Sequence, residues 1–393
     1  MAQSISQEAI GATGLPGATA ASRHAGATAS GAPTSGTFAV GDFIVDQSGA
    51  MYVCIVAGTP GTWQLSGVSV NENIAAKNFI IKGGMDLDQR GASTYNVPQY
   101  TITYTLDRWF GDSRGSGTNY TMSQVSSGLT GIQYALRMQR NSGSTDTNGC
   151  WYGTTLETKN SIPLAGKVVT LSFYYRTGAY YSPTNFAIAL YSGTGTDENW
   201  ANGFTGQATV LNTTISPTAS SGWLRYSGTA SVGSTATEIG LQFTYTPTGT
   251  AGANDYIDIT GVQLEIGSTA TAFSRAGGTI QGELAACQRY YYRITASNTF
   301  DAIGVPGVAT STTNITWQQP FPVTMRIKPS SIDYSNLNWY NGSGPSSFSA
   351  VSNNQPNTNV GSINMTTTGL TSNYPYLILG GTGGGYIGFN SEL

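Results

Sequence analysis

Hydrophobic and polar residues alternate with a period of two through the middle of the chain. Val169, Leu171, Phe173 and Tyr175 fall on one face, Thr170, Ser172, Tyr174 and Arg176 on the other, the pattern of a strand with one face in a core. Phe186, Ile188 and Leu190 alternate with Ala187, Ala189 and Tyr191, and Ile239, Leu241, Phe243 and Tyr245 alternate with Gly240, Gln242 and Thr244. In Tyr256–Glu265 the apolar phase flips: Ile257 and Ile259 precede Gly261, Val262 and Leu264 follow it. A glycine at a phase change predicts a β-bulge. Turn residues separate these runs, and no helix of ordinary length interrupts them. Residues 78–278 are therefore expected to form a jelly-roll β-sandwich.

The flanks read differently. Residues 1–36 are rich in Ala, Gly, Thr and Ser, with the triplets Gly11-Ala-Thr, Gly14-Leu-Pro and Gly17-Ala-Thr. These are too few for a collagen helix, and the segment has too little apolar surface to fold alone. It reads as a docking arm, with Ile5, Ile10 and Leu15 as its apolar contacts. Residues 37–77 hold a small hairpin module and linker. Phe38, Val40, Phe43 and Val45 lead into a turn at Asp46-Gln-Ser-Gly49, then Met51–Val56 runs to a Pro-Gly turn and an anchoring Trp63. One hairpin is marginal alone, so packing of three copies is expected. A helical turn is expected at Glu72–Lys77.

Ile280, Leu284, Cys287 and Tyr291 recur at helical spacing, behind Thr279 as N-cap and with Glu283 in the first turn. This predicts a connecting helix within 279–293. Residues 294–393 return to strand signals between Asn/Ser/Gly loops: Ile315-Thr-Trp-Gln, Val323-Thr-Met-Arg-Ile, Tyr376-Leu-Ile-Leu and Tyr386-Ile-Gly-Phe389. They predict a C-terminal β-domain, with the Gly-rich chain end at its distal tip. The fold class is all-β.

Composition sharpens the picture. Only 9% of the 393 residues are charged, against roughly 25% in soluble domains. The surface is thus largely hydroxyl and amide, suited to contact between copies or with sugars. The cations are scattered, so no run of phosphates can be neutralised and nucleic acid is not an expected partner. No apolar run reaches the roughly 18 residues that predict a membrane helix. The N-terminus lacks the basic start and apolar stretch of a signal peptide, so synthesis in a cytoplasm without export by a cleavable signal is expected. Cys54, Cys150 and Cys287 lie far apart without CxxC spacing; they read chiefly as small buried hydrophobes.

An ordered set of strings carries a family resemblance. They are Asn78-Phe-Ile-Ile-Lys-Gly-Gly-Met-Asp86, Gln89-Arg-Gly91, Tyr104-Thr-Leu-Asp-Arg-Trp109, Leu136-Arg-Met-Gln-Arg140, Gly166–Phe173, Gly193–Asp197, Tyr256–Gly267 and Leu284-Ala-Ala-Cys-Gln-Arg-Tyr290. The set, covering about 78–292, resembles tailed-bacteriophage virion-surface proteins: tail fibres, receptor-binding proteins and related fibres with a carbohydrate-binding-module-like jelly roll. Val40-Gly-Asp to Trp63 resembles a small module near the attached end of such fibres. The resemblance implies a homotrimer located on the virion, bound through its N-terminus to other tail or capsid proteins and contacting host surface glycan through its C-terminal part. A capsid decoration or head-fibre protein without a specific receptor is the alternative; a glycan depolymerase is the third reading.

Candidate chemistry is sparse. His24, the only histidine, lies in the arm, so a Ser–His or Cys–His system has no base. The acidic candidates for glycan cleavage are Asp86/Asp88, Asp197/Glu198 and Asp255/Asp258. Long β-helical repeats, usual in tailspike depolymerases, are absent. The chain is expected to be non-enzymatic, with no cofactor except a structural Ca²⁺ held by Asp86, Asp255 and Asp258. Glycan candidates are aromatic residues that can stack on sugar rings: Trp339, Tyr340, Tyr374 and Tyr376 in the C-terminal domain, and Trp151 and Trp200 in the sandwich. Trp109 and Trp223 read as core.

Overall fold

The alternating segments become strands because only pairing satisfies their backbone while burying one face. A computed structural model describes residues 31–47, 49–66, 77–115, 117, 119–342 and 344–393. The docking positions Ile5, Ile10 and Leu15, His24, and all but Lys77 of the turn expected at 72–77 lie outside the described residues. The chain divides into two units, 1–74 and 75–393.

In the first unit β1 (Phe43–Val45), β2 (Met51–Val56) and β3 (Thr62–Ser66) form one antiparallel sheet in that order. Asp46 closes the turn by accepting from the Ala50 N–H at 2.9 Å. Trp63 packs edge-on against Phe38 with centroids 4.8 Å apart. The third strand was not legible because its residues, Thr-Trp-Gln-Leu-Ser, lack a run of apolar positions. The phase also differs from expectation: Ile44 and Cys54 are buried, whereas Val40 and Val45 are exposed.

The second unit opens with the sandwich. Its strands are β4 (Thr94–Val97), β5 (Thr103–Tyr104), β6 (Phe110–Ser113), β7 (Tyr120–Leu129), β8 (Ile132–Arg140), β9 (Cys150–Thr155), β10 (Val168–Thr177), β11 (Phe186–Gly193), β12 (Ala208–Ile215), β13 (Leu224–Ser231), β14 (Glu238–Tyr245) and β15 (Tyr256–Ile266). One sheet runs β13-β10-β15-β8-β7-β4, the other β12-β11-β14-β9-β6-β5. The predicted inward residues Val169, Leu171, Phe173, Phe186, Ile188, Leu190, Ile239, Leu241, Phe243, Ile257, Ile259, Val262 and Leu264 all enter one core. Phe243 is its hub, in ring contact with Trp109, Tyr152, Phe173 and Phe186. A short helix, α1 (Thr158–Ser161), follows β9 and leads the chain from one sheet to β10 of the other. Trp223, expected in the core, is only half-buried. Its indole N–H donates to the Ser127 carbonyl at 2.8 Å and Arg176 covers its ring.

The bulge sits where the phase flips. Between the pairs Tyr174↔Thr260 and Ser172↔Gln263 the register shifts, so Gly261 and Val262 together face Phe173. Gly261 has φ +59°, a region that favours glycine.

Beyond the sandwich, α2 (Ile280–Gln288) is capped by Thr279, whose side chain accepts from the Gly282 N–H at 3.1 Å. The helix ends earlier than the periodicity suggested. Tyr291 belongs instead to β16 (Tyr291–Ala296), because the run Tyr-Tyr-Arg-Ile pairs with a distant strand. The other C-terminal strands are β17 (Gly307–Ala309), β18 (Asn314–Pro320), β19 (Ser331–Ser335), β20 (Leu337–Tyr340), β21 (Pro345–Ser347), β22 (Ala350–Asn353), β23 (Val360–Thr366), β24 (Pro375–Gly380) and β25 (Gly385–Asn390). A three-stranded sheet, β16-β25-β19, packs on a seven-stranded sheet, β21-β20-β24-β17-β18-β23-β22. Trp317, Phe389, Ile363, Met365, Tyr376 and Ile378 fill the space between them.

Two expectations are corrected here. Val323–Ile327 is not a strand. Pro322 and Pro329 bracket it, and the Met325 and Arg326 N–H groups donate to the carbonyls of Thr358 and Arg289 rather than to a ladder. Nor is the chain end at a distal tip. β25 is a central strand, and the residues after it return to the sandwich.

There a buried ionic cluster joins the two β-domains. Arg90 lies 3.7 Å from Asp107 and 3.4 Å from Glu392, with Tyr291 under its guanidinium at 3.9 Å. Arg108, fully buried, donates to Glu392 and to the Thr155 carbonyl and stands 3.7 Å over the Tyr290 ring. Burial is the largest influence and opposes the charge of Arg108, but Glu392 together with the Tyr290 and Tyr104 hydroxyls outweighs it and holds the guanidinium above its usual range. Lys82 and Asp107 are pushed the other way: burial lowers the ammonium and raises the carboxyl. Nearby, Arg289 grips Glu157 at 2.5 and 2.9 Å, and Arg326 ties Asp197 (3.1 Å) to the Ser391 and Glu392 carbonyls.

Two consequences are measurable. A Cβ at Gly261 would approach Ile132 and Tyr174 to 2.9 and 3.0 Å in a conformation that L-residues resist. Gly261→Ala should therefore cost about 1–3 kcal/mol, read as a lower urea midpoint. Glu392→Ala leaves two buried guanidiniums short of a carboxylate. It should cost about 3–5 kcal/mol, read by the same titration with the slope checked for a change in unfolding cooperativity.

Candidate functional site: an aromatic cleft in the C-terminal domain

The candidate site follows from strand alternation in β20 and β24. Leu337 and Trp339 point into the core and Tyr340 points out; Tyr376 and Ile378 point in, Pro375 and Leu377 out. The register pairs Tyr340 with Leu377 and Pro375 with Val308, so one outward face carries Val308, Pro375, Leu377 and Tyr340. An outward sheet face is ordinarily polar; an apolar one points to contact with something.

The loops at this edge turn the face into a cleft of about 360 Å³, lined by Pro306, Tyr340, Asn341, Gly342, Tyr374, Pro375, Tyr376 and Leu377. Tyr374 is 49% exposed and Leu377 44%. Tyr374 sits edge-on to Tyr376 with centroids 5.6 Å apart, and Tyr376 is edge-on to Trp339 at 5.0 Å. The Tyr376 hydroxyl accepts from the Thr371 N–H at 2.7 Å. Trp339, 5% exposed, donates its indole N–H to Thr367 Oγ1 at 3.0 Å. Trp339 and Tyr376 are thus the floor and its support, and Tyr340 and Tyr374 are the reachable rings. Across β18, β23 and β22 the same face turns polar, through Thr316, Asn364 and Ser352.

Of the six predicted glycan aromatics, the structure brings together Trp339, Tyr340, Tyr374 and Tyr376. Trp151 and Trp200 lie apart, on the sandwich. Trp200 is buried against Phe110 and donates to the Thr154 carbonyl at 3.1 Å. Trp151 is covered by Arg114, 3.5 Å above its ring. Trp200 is thus closed off, and Trp151 is half-buried with one face covered. Pro306, Pro375 and Leu377 were missed. The outward phase of Pro375 and Leu377 was the available signal, but Tyr-Leu-Ile-Leu reads as an unbroken apolar run.

The predicted metal ligands are not assembled. Asp86 pairs with Arg275 at 2.6 Å. Asp258 sits between Arg137 at 2.7 Å and Arg176 at 2.8 Å. Asp255 accepts from Ser182 and Tyr245, with Arg140 at 3.5 Å. Each carboxylate that was read as a cation ligand is neutralised by arginine. Among the described residues no three His, Cys, Asp or Glu side chains gather as a metal site. The candidate acid pairs are similarly engaged: Asp88 with Tyr95, Asp197 with Arg326, Glu198 with Thr205. The three cysteines are free and buried.

No family model matches the chain, and no curated protein matches it. Solved structures show partial likeness. The enzymatically active domain of tailspike protein 4 of bacteriophage CBA120 is 11% identical with a TM-score of 0.32, over 48% of this chain and 21% of that one. This chain therefore spans about a fifth of that protein. A CBM4 structure is 15% identical with a TM-score of 0.28, over 47% of this chain and 98% of that one. The C-terminal family 22 carbohydrate-binding module of Clostridium thermocellum Xyn10B is 14% identical with a TM-score of 0.26, over 46% and 98%. At these scores the likenesses carry no argument about function.

The division of labour in the cleft is testable by stability alone. Trp339→Ala should cost about 3–5 kcal/mol, whereas Tyr374→Ala should leave stability within about 0.5 kcal/mol. Thermal melts of the two variants beside the parent check both.

Proposed function

We propose that this chain is a non-enzymatic adhesion subunit that contacts surface saccharide through the Tyr340–Tyr374 cleft. The observation that carries the reading is the lining itself. Two reachable tyrosine rings stand beside Pro306, Pro375 and Leu377, and among the described residues no Asp, Glu, His, Cys, Lys or Arg lines the cleft. Such a surface can stack on the apolar face of a pyranose ring but offers no acid–base pair for cleaving it. The ordered strings of the sandwich support placing the subunit on a phage virion, as a trimeric fibre or receptor-binding protein attached through its N-terminal region. Three weak clefts on one particle would gain by avidity.

The test uses the full chain on an array of bacterial surface polysaccharides, read beside Tyr374→Ala. Selective binding that falls at least about tenfold in the variant is expected. Binding to no polysaccharide, or binding indifferent to Tyr374, would favour a decoration protein without a receptor. Release of reducing sugar would overturn the non-enzymatic reading. Light scattering should return the mass of three 41.1 kDa chains.

A further inference from the structure

Granted the glycan reading, on which this step rests, we infer that the cleft selects a neutral sugar presenting a methyl-ended substituent, either the 6-methyl of a deoxyhexose or the methyl of an acetyl group. The argument begins with what the cleft lacks. Among the described residues no charged side chain lines it, so a uronate, sialate or phosphate group would be withdrawn from water with no counterion, which is costly. The ligand is uncharged to match.

Its size suits a small ligand: a cleft of about 360 Å³ bounded by eight residues is at the lower end of small-molecule sites and matches one or two sugar rings.

The lining then decides which neutral sugars fit. Leu377 and Pro375 occupy the outward positions of β24, and the apolar stripe continues to Val308 at register with Pro375. A hexose hydroxyl set against these groups loses water and gains no partner, the asymmetry that makes an unpaired polar group worse than none. A methyl group at the same place gains contact with the aliphatic side chains. Among the described residues, hydrogen-bonding capacity comes from the tyrosine hydroxyls, from Asn341 and from the polar half of the face, where Thr316 bonds Asn364 at 3.0 Å, not from the Pro375–Leu377 side. The remaining ring hydroxyls are therefore best turned toward that side, with the methyl toward Leu377.

Saturation-transfer NMR on the full chain tests this with matched pairs: fucose against L-galactose, rhamnose against L-mannose, and N-acetylglucosamine against glucose, with glucuronate as the charged control. The methyl-bearing member of at least one pair should bind at least about fourfold more tightly, the factor expected for one buried methyl, and its methyl protons should take the strongest saturation. Leu377→Asn should erase that preference while binding persists; its melt serves as the folding control, since the side chain is half-exposed. Tyr374→Ala should abolish binding of both members. Equal affinities within every pair, or preference for glucuronate, would overturn the inference while leaving a glycan site in place. Binding of no sugar, with no effect of Tyr374→Ala on polysaccharide capture, would overturn the glycan reading itself.

Discussion

Charges removed from water must be matched, and in this chain the matching is done across great sequence distance. Arg90 and Arg108 belong to the sandwich, Glu392 to the end of the chain. Glu392 is the carboxylate partner of Arg108 and shares Arg90 with Asp107, so its removal would leave buried positive charge under-matched. The C-terminal domain is consequently held to the sandwich by a requirement rather than by a linker, and both belong to one unit of the fold. From Glu392 the constraint passes into β25, whose Phe389 stacks on Trp317 with centroids 6.3 Å apart. Trp317 lies on the inner side of the seven-stranded sheet whose outer side carries the cleft. The cleft is thus presented on a packed layer.

Much of the sandwich was legible because period-two alternation is a local property. Val169 to Tyr175 and Ile239 to Tyr245 announce their inward faces within eight residues of sequence, and Gly261 announces the bulge by its place in the phase. The strings Lys82-Gly-Gly, Gln89-Arg-Gly, Asp107-Arg-Trp and Arg289-Tyr290 were visible as a set, but what unites them was not. Their shared role depends on Glu392, which no local pattern connects to Arg108. Local pattern also misled at Val323–Ile327, where flanking prolines and the inward reach of Arg326 override strand propensity. At the candidate site, aromatic residues among Asn and Gly loops pointed to Tyr340 and Tyr374, which the fold brings to one cleft. They did not separate the floor from the rim, because that depends on which strands pair with β24.

The scarcity of charge and the character of the cleft have one physical origin. The chain has 17 Lys and Arg and 20 Asp and Glu, and many of these are spent internally. Asp86 holds Arg275, Asp112 holds Arg114, Glu157 holds Arg289, Asp197 holds Arg326, and Asp258 holds both Arg137 and Arg176. Several of the guanidiniums also lie on aromatic rings: Arg114 on Trp151, Arg137 on Tyr256 and Arg293 on Tyr386. Such pairs fasten the outer faces of sheets that have no second core to pack against. What they leave outside is a surface of hydroxyls, amides and rings. The cleft between Tyr340 and Tyr374 belongs to that surface: among the described residues its lining holds rings, prolines and a leucine but no charge, and it lies where the sheet's outward alternation turns apolar.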